Sequence, residues 1–137
     1  MDGTPSEIKD WVDYYSDSFY CKLFSALDVI GHLLNVRYEL GIKQVHFHKV
    51  VCRLRDRDSS LYIGLNEIRE SPAFREANRL RNEITHNYLP SSTGMSVTLT
   101  QTGGCIGIRN YTPSAAIVSN AREVIGLLER IVTLVTA

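Results

Sequence analysis

Between Trp11 and Leu34 apolar side chains return every three or four residues: Trp11, Tyr15, Phe19, Leu23, Ala26, Leu27, Ile30 and Leu34. That spacing marks one long amphipathic helix, and so long an apolar stripe has to be covered by other helices. The pattern predicts a first helix from the capping residue Ser6 to about Leu40, ended by Gly41. At 137 residues the chain has length for one domain, 1–137, with its own core.

A second helix is expected from Ile42 to Arg57, carrying Val45, Val50, Val51 and Leu54, with "DRDSS" breaking it. A short third helix follows from Leu61 to Ile68. The stretch "SPAFREANRLRNEITHNYLP" is punctuated at both ends. Ser71 can cap it, Pro72 suits the first turn, and Pro90 pushes Leu89 out of the helical region. The period then drops from about 3.6 residues to about 2. In "MSVTLTQTGGCIGIRNY", Val97 and Leu99 alternate with Ser and Thr, and Ile106 and Ile108 answer them across Gly103-Gly104. That predicts a β-hairpin at about 95–110. Thr112 and Pro113 open a last helix with Ile117, Ala121, Val124, Leu128, Ile131 and Val135 on its apolar face. The expected fold class is all-α: an up-and-down bundle of four to five helices with one hairpin inserted before the C-terminal helix.

Net charge is zero, so no whole-molecule field draws the chain onto nucleic acid or an anionic membrane. The charge is unevenly placed. Met1 to Tyr20 carries five acids against Lys9, whereas His48 to Arg81 carries eight Lys and Arg against five acids. A local basic surface is therefore expected. Cys21, Cys52 and Cys105 are odd in number and show no CxxC spacing, which points to a reducing compartment. The acidic start "MDGTPSEIKD" does not resemble a signal or transit peptide. The most apolar stretch, "LFSALDVIGHLLNV", is interrupted by Asp28 and His32 and is too short to span a bilayer. A cytoplasmic protein without a membrane partner is the expectation.

The helix from Pro72 contains "RNEITHNYLP", an inventory unusual for either a core or a plain solvated face. Unrolled at about 100° per residue from Arg81, Thr85 falls near 40°, Asn78 near 60°, Asn82 near 100°, Arg75 near 120°, His86 near 140° and Arg79 near 160°. Leu80, Ile84 and Ala77 occupy the opposite sector, with Glu83 and Asn87 at one border and Tyr88 at the other. One face is thus expected to pack, and the other to gather arginines, asparagines, a threonine and a histidine. Guanidinium forks suit phosphate oxygens, and an imidazole moves a proton near neutral pH. The chemistry on offer is phosphate binding with proton transfer. The plainer alternative is a solvated Arg/Asn face whose histidine complements the helix dipole.

The run Arg81-Asn82, four intervening residues counted from Arg81, His86, then Tyr88 resembles the signature of HEPN domains (higher eukaryotes and prokaryotes nucleotide-binding). The helical architecture is similar over most of the chain; the inserted hairpin is not part of that resemblance. The resemblance implies a homodimer with two motif helices facing across a cleft. It further implies a metal-independent endoribonuclease, acting on RNA as the toxin of a toxin–antitoxin pair or as a phage-defence effector. The alternative is a catalytically silent module that binds nucleotide, RNA or a partner protein. In the active case His86 would work on the 2'-hydroxyl or the leaving oxygen, Arg81 would stabilise the phosphoryl charge, and Asn82 would orient the histidine or bond a phosphate oxygen. Arg79, Asn78, Arg75 and Thr85 would bind RNA phosphates. No cofactor is implied. Tyr88 would be a candidate for adenylylation by a small nucleotidyltransferase antitoxin.

Other residues invite competing readings. His48 and Cys52 are i, i+4 with His46 nearby, but no second cluster completes a zinc site. Asp28 and His32 read as a satisfied polar pair between helices that could border the cleft. Tyr14, Tyr15 and Tyr20 read as core and dimer packing.

Overall fold

The computed structural model describes residues 5–86, 95–100, 103–108 and 112–137. The elements are α1 (Pro5–Arg37), α2 (Phe47–Leu54), α3 (Ser59–Glu70), α4 (Pro72–His86), β1 (Met95–Thr100), β2 (Gly103–Ile108) and α5 (Ser114–Thr136). α1 packs against α2, α4 and α5, and α3 packs against α2, α4 and α5. The chain among the described residues is therefore mostly helical, a bundle of five helices.

The apolar stripe of α1 buries Tyr20, Leu23, Leu27 and Leu34. Its first turns differ from the sequence expectation. Trp11 and Tyr15 are 55% and 54% exposed and stack on each other at 5.3 Å, while the shorter Val12 and Ser16 turn toward the bundle. Tyr14 is exposed as well, so of the three tyrosines only Tyr20 is core. Its hydroxyl donates to Asn120 Oδ1 at 2.9 Å, and Asn120 Nδ2 donates to the Ala73 carbonyl at 2.9 Å. That short chain of bonds ties α1, α5 and α4 together, and it leaves Asn120 satisfied where burial would otherwise be costly.

α1 ends at Arg37, three residues before the expected Leu40. Glu39 and Gly41 take positive φ, at 50° and 67°, and turn the chain back. The Asn35 side chain fastens this turn, accepting from Ile42 N at 3.0 Å and donating to Ile42 O at 3.1 Å. α2 begins at Phe47, not Ile42. Its first N–H is received by Asp28 Oδ1 of α1 at 3.0 Å, so the cap comes from another helix. Gly31 sits against this start, where an added Cβ would stand 3.4 Å from Phe47 Cα, in ordinary contact. Asp58 caps α3 through Leu61 N at 2.9 Å. One residue, Ser71, then separates α3 from α4; its hydroxyl donates to Ile68 O at 2.6 Å and accepts from Phe74 N at 3.4 Å.

β1 and β2 pair antiparallel, with Met95 opposite Ile108, Val97 opposite Ile106 and Thr100 opposite Gly103. Gly103 and Gly104 lie within β2, opposite Thr100 and Leu99, not at the turn the glycine pair suggested. Pro90, the expected stop of the motif helix, lies outside the described residues, and α4 is described to His86.

Candidate functional site

α4 is positioned by its apolar face. Ala77 and Leu80 are fully buried and Phe74 nearly so, and Ile84 packs at the edge of the same core. Arg81 lies beside that sector, not in the middle of the polar face. Its guanidinium carbon stands 4.8 Å from the centre of the Phe24 ring of α1. Phe24 in turn meets Phe74 edge-on at 5.8 Å, and Phe47 of α2 lies 6.5 Å from Phe74. Three helices thus contribute one aromatic each to a wall on which a cation rests, an arrangement worth about 0.5–2 kcal/mol per cation–π contact.

A cleft of about 460 Å³ opens over this wall. Arg81, Asn78 and Arg75 of α4 line it, as do Arg69 and Glu70 from the end of α3. Asp28, His46 and His48 close the far side. The site residues anticipated on α4 therefore divide. Arg81, Asn78 and Arg75 come together. Asn82 is exposed outside the cleft, and the Thr85 hydroxyl is turned to its own helix, donating to the Arg81 carbonyl at 2.8 Å. Arg79 sits on the opposite flank of α4. Its Nε donates to Glu76 at 2.8 Å, Nη2 donates to Glu76 at 2.6 Å and to Thr112 Oγ1 at 3.0 Å, and Nη1 reaches Glu83. These carboxylates hold the Arg79 pKa far above its ordinary value, and Arg79 lowers that of Glu76 in return. Glu76 and Glu83 thus line one flank of the polar face, and Glu70 stands in the cleft. His86 is the last residue of α4; its side chain, like Tyr88, lies outside those described.

The arginines differ in their partners. Glu70 receives Arg69 Nη2 at 3.2 Å and also binds Arg75, which keeps its carboxyl below the usual range. Arg69 further donates to Asn66 Oδ1 at 2.9 Å and Cys52 Sγ at 3.3 Å. Arg81 forms no salt bridge among the described residues. Two buried side-chain nitrogens lack a hydrogen-bond partner among them, Arg69 Nε and Arg81 Nε, and both arginines line this cleft. A buried donor without an acceptor costs about 1–3 kcal/mol. The cleft thus gathers Arg69, Arg75 and Arg81, with Asp28 and Glu70 among them.

Asp28 does not pair with His32, which is exposed. It caps Phe47 and stands 3.7 Å from His46 Nδ1. The His46 and His48 rings stack 6.1 Å apart. Burial first, and the neighbouring His46, Lys49 and Arg69 next, lower the His48 pKa against a raising effect of Asp28, favouring the neutral, proton-accepting imidazole. No group of three or more His, Cys, Asp or Glu among the described residues is placed to hold a metal ion. Cys21 and Cys52 are free thiols. Burial and Asp17 push the Cys21 thiol up, with Thr85 and Arg81 opposing.

Sequence reading missed Arg69, Glu70 and Phe24. The "RESP" corner, with an arginine and a glutamate two to three residues before a helix start, was a usable signal for the first two. Nothing local marks Phe24, whose role depends on α1 crossing α4.

A family model for Cthe2314-like HEPN domains matches residues 1–136. No curated protein and no solved structure gives a significant match. With an Arg–Asn…His run on a bundle helix and a family match over nearly its whole length, the chain belongs to the HEPN family.

Proposed function

We propose that this HEPN domain is a metal-independent endoribonuclease, acting as a homodimer and serving as the toxin of a toxin–antitoxin pair or as a phage-defence effector. The observation that carries the reading is Arg81. It is half-buried on Phe24, without a carboxylate among the described residues, five positions before His86 on the same helix. A phosphate in the cleft would give the guanidinium its missing acceptor.

The chemistry follows from those two groups. The RNA 2'-hydroxyl attacks the adjacent phosphorus while the bond to the 5'-oxygen breaks. The imidazole of His86 takes or returns the proton at one of these oxygens. Arg81 stabilises the charge that builds on the phosphoryl oxygens. The ends formed are a 2',3'-cyclic phosphate and a 5'-hydroxyl. Two copies related by a two-fold axis near α4 would put two such helices around one strand, which compensates for the neutral net charge.

A binding-only module is the second reading, favoured by Asp28 and Glu70, whose carboxylates offset much of the cleft's positive charge. Incubating the purified protein with RNA in excess EDTA, and analysing the ends produced, separates the two. Cleavage to cyclic phosphate ends, abolished in both Arg81→Ala and His86→Ala while both variants remain folded, is the expected result. RNA bound but never cut would establish the second reading, and cleavage that requires an added divalent metal would overturn the mechanism.

A further inference from the structure

The arginines that line the cleft come from two helices, Arg69 from α3 and Arg75 and Arg81 from α4. At one end Arg81 rests on Phe24. At the other, Arg69 and Arg75 converge on a single carboxylate, that of Glu70, each reaching a different oxygen. Arg75 and Arg81 are six residues apart, about 9 Å along α4, a span that one nucleotide with a phosphate at either side can bridge. Between them the wall is apolar, formed by Phe24 and the edge of Phe74.

We propose that the cleft is a nucleotide subsite with two phosphate positions. Arg81 holds the phosphate that reacts, the Arg69–Arg75 pair holds the neighbouring one, and the Glu70 carboxylate keeps the place that this second phosphate takes. The ligand class is single-stranded RNA, which rests on the proposed function above. Glu70 is suited to being displaced. It is 45% exposed and Arg75 is 67% exposed, so their ion pair is screened and weak. Phosphate oxygens offer the same two forks a stronger acceptor. Arg69 is held more firmly by Asn66 and Cys52, so it stays aimed when Glu70 leaves.

The test is fluorescence anisotropy with a short labelled single-stranded RNA, titrated over a salt series in the His86→Ala protein so that the strand stays intact. Arg75→Gln is expected to lower the slope of log affinity against log salt by about 0.7, the loss of one phosphate contact. Glu70→Gln is expected to tighten binding by up to about fivefold, the competition an exposed ion pair can exert. Both side chains are exposed at the α3–α4 corner, so neither change should unfold the protein, and circular dichroism checks this. If both variants bind like their parent while Arg81→Ala weakens binding, the second phosphate position is wrong and the proposed function stands. If the parent neither binds nor, with His86 restored, cuts RNA, both readings fall.

Discussion

The Arg81 guanidinium carbon lies 4.8 Å over the ring of Phe24, so an aromatic of α1 sets where a cation of α4 can reach. The ring offers attraction without a charge, leaving the guanidinium oriented yet still short of an acceptor. Phe24→Leu keeps most of the apolar area and removes the ring face. It should reduce RNA cleavage about 3- to 30-fold, the worth of one cation–π contact. Stability should fall by less than about 2 kcal/mol, because Phe24 is only part-buried. Single-turnover cleavage and urea unfolding measure the two. A loss of stability with cleavage unchanged would place Phe24 in packing alone.

Arg79 is the counter-case on the same helix. Glu76, Glu83 and Thr112 engage it on the far flank, where α4 meets the start of α5. Arg79→Ala should cost about 1 kcal/mol, since pairs this exposed are worth only a few tenths each. RNA affinity should keep its salt slope, unlike that of Arg75→Gln. A slope lowered by about 0.7 in Arg79→Ala would return this residue to the binding surface.

The contrast explains what the sequence could and could not convey. Helical periodicity located the bundle because Tyr20, Leu27, Leu34, Leu80, Val124 and Ile131 obey a spacing that burial imposes. The motif was legible because Arg81, Asn82 and His86 are close in the chain. Which arginines point together was not legible. Arg81 and Arg79 lie about 160° apart on the helix. Arg81 rests on Phe24 of α1, a long-range partner, whereas Arg79 is held by Glu76 and Glu83 of its own helix, with Thr112 added from before α5. The start of α2 was misread for the same reason: its cap, Asp28, is nineteen positions away. Long-range partners leave no local signal.

That cap carries its own prediction. Asp28→Ala removes the acceptor for the first N–H of α2 and should destabilise the protein by about 1 kcal/mol. Asp28→Asn keeps an oxygen acceptor and should recover most of it. Hydrogen exchange should report the loss first at Phe47, at the edge of the cleft that holds His46 and His48. Equal protection at Phe47 in both variants would show that this bond contributes nothing.

Tyr20 should make the fold sensitive to alkali. Burial, with a smaller contribution from Glu76 and against that of Arg79, raises its phenol pKa well above the ordinary 10.0. The folded protein therefore keeps the Tyr20 proton to higher pH than the unfolded chain does. Below about pH 10 both states hold the proton, and the contribution to stability is complete and constant. Above it the unfolded chain ionises while the folded one does not, and stability falls by at most about 1.4 kcal/mol per pH unit until the folded-state pKa is reached. Tyr20→Phe removes that slope, and at neutral pH it costs about 1–3 kcal/mol by taking the hydroxyl from Asn120 Oδ1. Urea unfolding of both proteins at about pH 8 and about pH 11 isolates the effect, because the remaining tyrosines are common to both. The gap between them should narrow at the higher pH. A gap that stays constant would mean that Tyr20 ionises alike in the folded and unfolded states.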